Sequence, residues 1–476
     1  MRNYTDFYID GAWVSPAGRP VLDVINPATE LAFARISMGD ATDVDTAVTA
    51  ARRAFESFSQ TTKADRIDLL RAVLAGFMAR YDEVAEAITL EMGAPCTFSR
   101  AEQAEAGEGH LKAIIRALEA FTGEERINAT RIVHEPVGVC GLITPWNWPI
   151  NQVACKVAPA LAAGCTMVLK PSEIAPVSAM IFAEILHDAG VPAGVFNLIN
   201  GDGATVGAAI SSHPGLDMVS FTGSTRAGIA IAKAAADTVK RVHQELGGKS
   251  ANIILDDVDF EPTIREALRM GFKNSGQSCN SPSRLLVPRA WHDRAAALAC
   301  DYANAIRIGD PQRDDTQIGP VVSKVQYDRI QGLIQRGIDQ GAKLEAGGPG
   351  LPPGLNAGYF VRPTIFSGVT PDMDIARIEI FGPVVTIIAY DDEDEAIRIA
   401  NDTVYGLANY VSSGRIERAR AVARRLRSGM VHVNAAPGDY DGAFGGYKQS
   451  GNGREWGKFG FMDFMEVKSI FGYGAA

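Results

Sequence analysis

The sequence has few cysteines, and none is spaced as in a metal or disulfide motif. Its six cysteines stand at positions 96, 140, 155, 165, 279 and 300, without a Cys-x-x-Cys pair. This spacing argues against a zinc site and against a disulfide framework, so we predict no bound metal. Scattered reduced cysteines are typical of a cytoplasmic protein, in which most of them serve as small apolar side chains.

The chain also lacks an excess of basic charge and any long apolar run. Its 46 lysines and arginines are outnumbered by 56 aspartates and glutamates, giving a net charge of -10, which argues against a nucleic-acid partner. Apolar runs such as 157–163 are broken by Pro159 and Gly164 and are far shorter than the ~20 residues of a membrane span. The first residues contain neither an apolar run nor a basic leader, so we expect no targeting peptide, no membrane partner and a cytoplasmic location.

A length of 476 residues predicts two or three lobes, because one hydrophobic core rarely fills so long a chain. Apolar residues at three- and four-residue steps predict helices over residues 44–58 and 64–92. From residue 137 onward, short apolar runs alternate with helical segments, which is typical of a parallel sheet with crossover helices. The strands predicted for this sheet are residues 138–143, 166–169, 195–199, 217–221 and 241–245.

A second set of alternating strands and helices begins after the first sheet. Its predicted strands are residues 252–255 and 284–287, and its predicted helices end near Phe272 and cover residues 291–306. The glycine- and proline-rich stretch 341–358 is predicted as a loop. A hairpin over residues 121–135 and a strand over 466–473 are predicted outside the two sheets.

A cysteine and a glutamate stand in settings that suit covalent catalysis. Cys279 ends the polar, flexible segment FKNSGQSC, which favours a loop thiol over a structural cysteine in the core. Glu245 ends a predicted strand and precedes two glycines in QELGGKS. A thiol is a strong nucleophile once it loses its proton, and a nearby carboxylate can accept that proton or activate a water later. A buried structural thiol and a solvated carboxylate are the alternatives.

A third candidate is Asn147, which follows the first strand of the sheet in TPWNWP. The tryptophans and prolines around it predict a stiff wall. A fixed side-chain amide can donate to an oxyanion, an interaction worth ~3 kcal/mol in acyl-transfer enzymes. The alternative is an asparagine in an ordinary Asx-turn.

Loops after the strands of the first sheet carry nucleotide-binding signals, although none is a standard fingerprint. In KPSE, Glu173 can accept a ribose diol and repel the extra phosphate of NADP, with Lys170 beside it; an ordinary turn capped by Ser172 is the alternative. The glycine patterns at 201–207 and 223–228 match neither the standard dinucleotide fingerprint nor a P-loop. Glycine-rich turns without a bound ligand are the commoner case. The second one nevertheless lies between a strand and a helix, where free amides suit a pyrophosphate.

The six motifs TPWNWP, KPSE, FTGSTRAG, ELGGKS, GQSC and EIFGPV, in this order, resemble those of the aldehyde dehydrogenase superfamily over nearly the whole chain. The resemblance implies an α/β fold with a Rossmann-type NAD(P)-binding lobe over residues 1–120 and 137–246. It further implies an α/β catalytic lobe over 247–458 and a small β oligomerisation arm over 121–136 and 459–476. A homodimer or homotetramer would follow.

The resemblance also implies an activity and its residues. By similarity, Cys279 attacks the aldehyde, Asn147 and the Cys279 amide hold the oxyanion, hydride passes to NAD, and Glu245 activates water to hydrolyse the thioester. Lys156 and Glu455 match a proton-relay pair of several members. Because Glu245 is present, a free acid rather than a coenzyme A ester is the expected product. NAD is the expected cofactor, and Lys170 beside Glu173 leaves NADP open.

The motif positions assign the remaining site residues. The expected cofactor contacts are Ile143, Thr144, Pro145, Trp146, Lys170, Ser172, Glu173, Gly203, Gly207, Phe221, Thr222, Gly223, Ser224, Leu246, Gly247, Glu379 and Phe381. The expected substrate contacts are Trp148, Asn151, Gln152, Cys155, Ser278 and Phe444.

The aldehyde tunnel of members acting on simple aldehydes is largely apolar, whereas Asn151 and Gln152 are polar here. Asp439, Tyr440 and Asp441 stand before Phe444 and add to this polar character. We therefore expect a substrate with a remote polar group; the alternative is that these side chains point away from the tunnel. No arginine stands near the tunnel motifs, so nothing in the sequence demands a carboxylate substrate.

Two rival functions carry less support. A cysteine-dependent acyltransferase or hydrolase would leave the nucleotide-like loops unused, and no histidine stands in a comparable motif. A non-catalytic member of the same fold would have no need for Cys279, Glu245 and Asn147 together.

Overall fold

The computed structural model describes residues 2–473, and its largest sheet brings the predicted nucleotide loops to one edge. The strand order across these eight strands is Gly451–Asn452, Arg241–Glu245, Met218–Thr222, Val139–Ile143, Thr166–Lys170, Phe196–Leu198, Phe7–Ile9 and Ala12–Val14. The five strands from Arg241–Glu245 to Phe196–Leu198 run parallel, so their carboxyl ends meet at the same edge. The five predicted strands are confirmed to within one residue at each end.

Hydrophobic cores cover both faces of this sheet. In the fully buried strand Thr166–Lys170, Met167 and Leu169 join one core cluster with Phe77, while Val168 joins another with Phe221. Successive side chains of a strand point to opposite faces, so only a sheet covered on both sides buries them all. This double burial holds the strand ends, and the loops that leave them, in fixed positions.

Helices fill the connections. Over the described chain they are Ala41–Phe58, Lys63–Ala79, Tyr81–Met92, Glu105–Ala120, Pro149–Ala163, Val177–Asp188, Ala208–Ser212, Thr225–Ala235, Phe260–Phe272, His292–Asn304, Lys324–Asp339, Asp374–Arg377, Glu393–Asn401, Ile416–Ala423 and Gly457–Asp463, with a three-residue turn at Cys96–Phe98. The first two begin at capping boxes in which Asp40 and Thr62 accept backbone N–H groups.

The helix predicted over residues 64–92 is in fact two helices, a correction that the apolar periodicity did not reveal. Arg80 has φ −114° and ψ 18°, outside the helical region, and separates Lys63–Ala79 from Tyr81–Met92. Its guanidinium bonds Glu83 and Glu184 at 2.8 and 2.6 Å. A break held by these side-chain contacts leaves no glycine or proline in the sequence to mark it.

A seven-stranded sheet carries the second half of the chain. Its order is Lys343–Ala346, Thr364–Ser367, Val384–Tyr390, Arg284–Pro288, Ala251–Ile254, Ala408–Ser412 and Met430–Val433. All neighbours are parallel except the edge strand Lys343–Ala346. That strand corrects the prediction of a continuous loop over residues 341–358.

Two three-stranded sheets complete the described chain. One pairs Met465–Ile470 with the hairpin of Glu124–Ile127 and Thr130–Pro136, and the other contains Arg2–Tyr4, Leu31–Ser37 and Val21–Asn26. The helix Gly457–Asp463, which precedes the first of these sheets, packs against Glu105–Ala120 and Pro149–Ala163. None of the helices within residues 2–473 has the length and apolar character needed to cross a membrane.

Candidate active site

A strained turn sets the position of Cys279. After the helix Phe260–Phe272, the residues Asn274, Ser275 and Gly276 have φ of 55°, 55° and 70°. Left-handed backbone at a non-glycine residue costs roughly 1–3 kcal/mol and persists only where the surroundings hold it. Here the Gln277 side chain holds the turn, because its Oε1 accepts from Val322 N at 3.0 Å and its Nε2 donates to Asn274 O at 3.3 Å.

Asn147 is tied to the same turn. It is buried, and its Nδ2 donates to the carbonyl oxygen of Gln277 at 3.0 Å. The Asn147 carbonyl oxygen in turn accepts from Asn274 Nδ2 at 2.9 Å and from Gln103 Nε2 at 3.2 Å. One N–H of the Asn147 amide thus orients the group, and the second is left to donate elsewhere.

The Cys279 thiol lies half-buried in the wall of a cavity. Burial raises the pKa of this thiol well above its usual range, and the negative charges of Glu379 and Glu245 raise it further. A thiol in this environment is protonated at neutral pH, so its reaction as a nucleophile requires a base or a bound cation.

Glu245 is a buried carboxylate close enough to influence that thiol. Its side chain is 1% exposed, and within the described chain neither carboxylate oxygen has a hydrogen-bond partner. Burial raises the pKa of Glu245 to about 7, even though His243 lowers it. A carboxyl that titrates near neutral pH is suited to general base catalysis.

Lys156 and Glu455 form a buried ion pair beside Glu245. The ammonium of Lys156 contacts Glu455 Oε1 and donates to Thr222 Oγ1 at 2.7 Å. Burial disfavours both charges, yet the mutual attraction raises the pKa of Lys156 and lowers that of Glu455. The pair stays ionised and adds one negative and one positive charge to the surroundings of Glu245.

The cavity that contains Cys279 has a volume of about 210 Å³ and a mixed aromatic and polar lining. Its aromatic side chains are Trp148, Tyr410, Tyr440, Phe444 and Trp456. Phe444 stacks on Trp456 with ring centroids 4.6 Å apart. A concave apolar site with a few polar groups is the usual form of a small-molecule pocket.

The structure brings most of the predicted substrate contacts into this cavity. Trp148, Asn151, Gln152, Ser278 and Phe444 all line it, and Trp148 Nε1 donates to Ser278 Oγ at 2.8 Å. The Asn151 amide is partly engaged, because its Oδ1 lies 2.7 Å from His110 Nε2.

Cys155 was expected among the substrate contacts, but it does not line the cavity. It is fully buried, and its Sγ lies 3.4 Å from Glu455 Oε2. On the helix Pro149–Ala163 it is four residues from Asn151, but it faces the ion pair rather than the cavity.

Two cations that the sequence did not place near the tunnel also line the cavity. Arg269 donates to Glu266 at 2.6 and 2.7 Å, and Lys273 donates to Glu102 at 2.8 Å. Both cations therefore have a carboxylate partner already.

The predicted cofactor contacts of the first sheet lie at or just beyond the carboxyl ends of its parallel strands. They are Ile143, Thr144, Pro145 and Trp146 after Val139–Ile143; Lys170, Ser172 and Glu173 after Thr166–Lys170; Gly203 and Gly207 after Phe196–Leu198; Phe221, Thr222, Gly223 and Ser224 around the end of Met218–Thr222; and Leu246 and Gly247 after Arg241–Glu245. Backbone bonds join neighbouring loops, from Thr144 N to Lys170 O at 3.1 Å and from Gly223 N to Glu245 O at 3.0 Å.

These loops have the chemistry that a dinucleotide needs. The Glu173 carboxylate is partly exposed and lies 3.0 Å from Lys170 Nζ. Ser224 caps the helix Thr225–Ala235, whose first amides point out of its positive end. A Cβ added at Gly203 would meet no atom within 4 Å, which leaves open space at the sheet edge. The residues present fit a ribose diol and a pyrophosphate.

Glu379 and Phe381 come from the second half of the chain and face the same edge. Glu379 Oε1 accepts from Gly248 N at 2.9 Å, and burial raises the pKa of Glu379 to about 7. Phe381 packs edge-on against Trp146 with centroids 5.3 Å apart. The predicted cofactor contacts of the two halves therefore meet between the sheet edge and Cys279.

A doubly covered parallel sheet with nucleotide-type loops adjoins a cavity that Cys279 lines, and the buried carboxylate of Glu245 acts on that thiol from outside the cavity lining. These features together are typical of a nucleotide-dependent oxidoreductase of the covalent type. The sequence profile of the Aldehyde dehydrogenase family matches residues 13–470. The chain therefore belongs to the aldehyde dehydrogenase family, which confirms the resemblance, the fold class and an NAD-dependent oxidation of aldehydes.

Known proteins are similar to this chain over nearly its whole length. One is a 3-succinoylsemialdehyde-pyridine dehydrogenase from Pseudomonas sp., 57% identical over 99% of both chains. A solved aldehyde dehydrogenase from Bartonella henselae is 49% identical with a TM-score of 0.97, over 99% of this chain and 100% of that one. A mutant of aldehyde dehydrogenase C from Pseudomonas syringae, solved with NAD+ and octanal, is 49% identical with a TM-score of 0.98, over 99% and 97% of the two chains.

Sequence reasoning missed several residues of the site. Tyr410 and Trp456 come to the cavity from distant segments, and no local pattern marks them. His243 had a usable signal, because it stands two residues before Glu245 in a predicted strand and so shares its face. No group of three or more histidine, cysteine, aspartate or glutamate side chains among residues 2–473 is arranged to hold a metal ion.

Proposed function

We propose that the protein oxidises an aldehyde to its carboxylic acid with NAD(P)+, with Cys279 as the nucleophile and Glu245 as the base that activates the hydrolytic water. The observation that carries this proposal is that Cys279, the tethered Asn147 amide and the unpartnered Glu245 carboxylate belong to one site. A thiol, an oxyanion donor and a base are the groups required to form and hydrolyse a thioester.

In the first step, the Cys279 thiol gives its proton to solvent water, a loss that the positive charge of a bound NAD+ would favour. The sulfur then forms a bond to the aldehyde carbon, and the carbonyl electron pair moves to the oxygen. The free N–H of the Asn147 amide and the backbone N–H of Cys279 donate to that oxygen. NAD+, when bound at the sheet edge, supplies the acceptor for the hydride that must leave the same carbon. Asn147 is suited to this role because the other N–H of its amide donates to the Gln277 carbonyl oxygen, which fixes the orientation of the group.

In the second step, Glu245 takes a proton from water while the water oxygen attacks the thioester carbon. The carbon–sulfur bond breaks, the acid leaves, and the Cys279 thiolate is restored. The burial of Glu245 and the absence of a hydrogen-bond partner for its carboxylate oxygens support this role, since a pKa of about 7 leaves a substantial carboxylate fraction at neutral pH. The resemblance assigns the next proton transfer to Lys156 and Glu455, which contact each other and act on Glu245 through their charges.

NAD is the cofactor proposed to bind best, with NADP as the alternative. Glu173 at the end of Thr166–Lys170 would accept the adenosine ribose diol and repel a 2′-phosphate. Lys170, whose ammonium is bound to that carboxylate, neutralises part of the repulsion and leaves NADP use open. Ser224 and the helix start bind the pyrophosphate, and Glu379 binds the nicotinamide ribose.

The substrate is proposed to be an aldehyde with a polar or aromatic group remote from the carbonyl. The aromatic lining of the cavity, together with Asn151 and Gln152, supports this choice over a plain aliphatic chain. The relative that is 57% identical is named for a semialdehyde with a pyridine group, which points the same way.

The chain is further proposed to work in the cytoplasm as a homodimer or homotetramer. Residues 1–120 and 137–246 would form the cofactor lobe, 247–458 the catalytic lobe, and 121–136 with 459–476 the oligomerisation arm. The sheet of Met465–Ile470, Thr130–Pro136 and Glu124–Ile127 supports the arm, because Ile127 and Val467 are exposed by 55% and 62%.

The test is the near-ultraviolet absorbance of reduced nicotinamide, with NAD or NADP and aliphatic, aromatic, hydroxylated and carboxylated aldehydes of matched length. Wild-type protein should form NADH, and Cys279→Ala should not. Cys96→Ala is the matched control, because Cys96 is also a half-buried free cysteine but lies outside the cavity. Hydrolysis of an acyl ester without any cofactor-dependent oxidation would favour the hydrolase reading instead.

A further inference from the structure

His243 lies next to Glu245 in the interior, on the same face of the strand Arg241–Glu245. Its side chain is 2% exposed, and its two ring nitrogens lie close to two different carboxylates, as ion-pair contacts without hydrogen-bond geometry. Nε2 lies 3.6 Å from Glu245 Oε1, and Nδ1 lies 2.5 Å from Asp463 Oδ2. The ring thus bridges the buried base and a carboxylate that is 30% exposed at the surface.

The two carboxylates fix the charge of the ring. Both nitrogens of an imidazole carry hydrogen only in the protonated form, so a ring between two carboxylates interacts favourably with both only as a cation. Burial opposes this charge, but Asp463 and Glu245 overcome it and raise the pKa of His243 to about 9. Asp463 is itself held in place, because its Oδ2 also accepts from Arg454 N at 3.2 Å.

Glycines shape the space around this arrangement. A Cβ added at Gly453 would lie 3.0 Å from the His243 ring and 2.6 Å from Asp463 Oδ2. A Cβ added at Gly445 would lie 2.6 Å from Glu245 Oε1. The backbone therefore approaches all three side chains closely, which limits the positions that they can adopt.

Two other charged side chains, Lys156 and Glu455, also act on the carboxylate of Glu245. The helix Pro149–Ala163 contributes Lys156, which favours the carboxylate, and Glu455 opposes it. These two form an ion pair with each other, so their effects on Glu245 largely cancel. The Cys279 thiol is neutral at neutral pH. Among the described residues, His243 is the cation whose nitrogen lies within 4 Å of a Glu245 oxygen.

We infer that His243, held protonated by Asp463, is a positioning residue that keeps Glu245 ionised and oriented for its role as the base in thioester hydrolysis. The inference rests on the proposed function, since it concerns the hydrolytic step alone. It assigns no bond-making step to His243, which acts only through Glu245.

The test is the pH dependence of thioester hydrolysis in wild type, His243→Gln and Asp463→Asn. The acyl-enzyme is formed with octanal and NAD+, quenched at intervals in acid, and its decay followed by intact mass spectrometry. Loss of an opposite charge within ~4–6 Å moves a carboxyl pKa upward by about 1–3 units. The rising limb of the hydrolysis rate should shift by at least about 1 pH unit to higher pH in His243→Gln, and in the same direction by less in Asp463→Asn.

The controls separate this role from a merely structural one. His213→Gln removes a histidine that is also paired with an aspartate, since its Nε2 lies 3.2 Å from Asp45 Oδ1. This pair does not include Glu245, so the substitution should leave the rising limb of the hydrolysis rate at the same pH. Asp463→Asn changes a partly exposed side chain, so it provides an answer even if His243→Gln does not fold. A uniform fall in rate with an unshifted limb in a folded variant overturns the inference. Absence of NADH from wild-type protein with octanal and with every aromatic, hydroxylated and carboxylated aldehyde of the substrate panel overturns the proposed function instead.

Discussion

The carbonyl oxygen of Cys279 occupies the space where a side chain at Gly248 would stand: a Cβ added at Gly248 would lie 2.2 Å from that oxygen. The glycines of ELGGKS therefore let the nucleophile loop approach the strand end that carries Glu245. The backbone N–H of the same glycine, Gly248, donates to Glu379 Oε1 at 2.9 Å. One glycine thus couples the positions of the thiol, the base and a predicted cofactor contact.

Gly248→Ala should displace Cys279 and lower kcat by roughly 100-fold, because a shift of about 1 Å at a reacting group costs about that much. The measurement is steady-state oxidation beside a thermal melt. Gly332→Ala is the control, because Gly332 lies in the helix Lys324–Asp339 and a Cβ added there would meet no atom within 4 Å. Equal kcat values for the Gly248 variant and wild type would contradict the close approach.

Asn147→Ala should lower kcat by about 100- to 1,000-fold, the effect of removing one oxyanion donor in acyl-transfer enzymes. KM should change much less, because the amide contributes mainly after the oxygen gains charge. Asn304→Ala, at an exposed position of the helix His292–Asn304, serves as the matched control. A fall in kcat/KM that comes entirely from KM would show that Asn147 shapes only the binding of substrate.

Glu173→Ala should weaken binding of NAD more than binding of NADP, because the carboxylate that accepts the ribose diol and repels the 2′-phosphate is lost. Dissociation constants for both cofactors, measured by fluorescence quenching, give the ratio. Glu56→Ala, a charge change on the helix Ala41–Phe58, controls for net charge. Equal weakening of both cofactors would remove the argument for cofactor choice.

The rate of alkylation of Cys279 by iodoacetamide, without cofactor, should rise about tenfold per pH unit from pH 7 to 9. The pKa of the thiol is raised above this range, so the thiolate fraction grows with pH throughout it. Glu379→Gln should increase the rate at each pH, because its charge contributes to the raised pKa. A plateau below pH 8 would mean that the free thiol is already activated.

The sequence predicted the elements whose periodicity and punctuation are local. The parallel strands and their loops follow from short apolar runs that end in glycine, proline or hydroxyl residues, and Cys279, Glu245 and Asn147 stand out because polar and glycine-rich motifs surround them. The break at Arg80 left no such signal, since it depends on an ion pair with Glu184, more than a hundred residues away in sequence.

Contacts between distant segments account for the other differences. Cys155 shares a helix with Asn151 and Gln152, but only the position of Glu455 shows that its sulfur faces away from the cavity. The same applies to Asp463, whose contact with His243 joins residues far apart in sequence. Arg269 reached the cavity from a helix that carried no tunnel motif.

The most direct measurement of the central claim is intact mass spectrometry of Glu245→Gln mixed with NAD+ and octanal and quenched in acid. We expect about one NADH per site in a rapid first phase, followed by slow turnover, and a protein mass increased by one octanoyl group, which digestion places on the peptide that contains Cys279. Glu455 and Lys156 remain in this variant, so the loss of hydrolysis reports on Glu245 itself. Rapid multiple turnover in Glu245→Gln, or undiminished NADH formation in Cys279→Ala, would contradict the account.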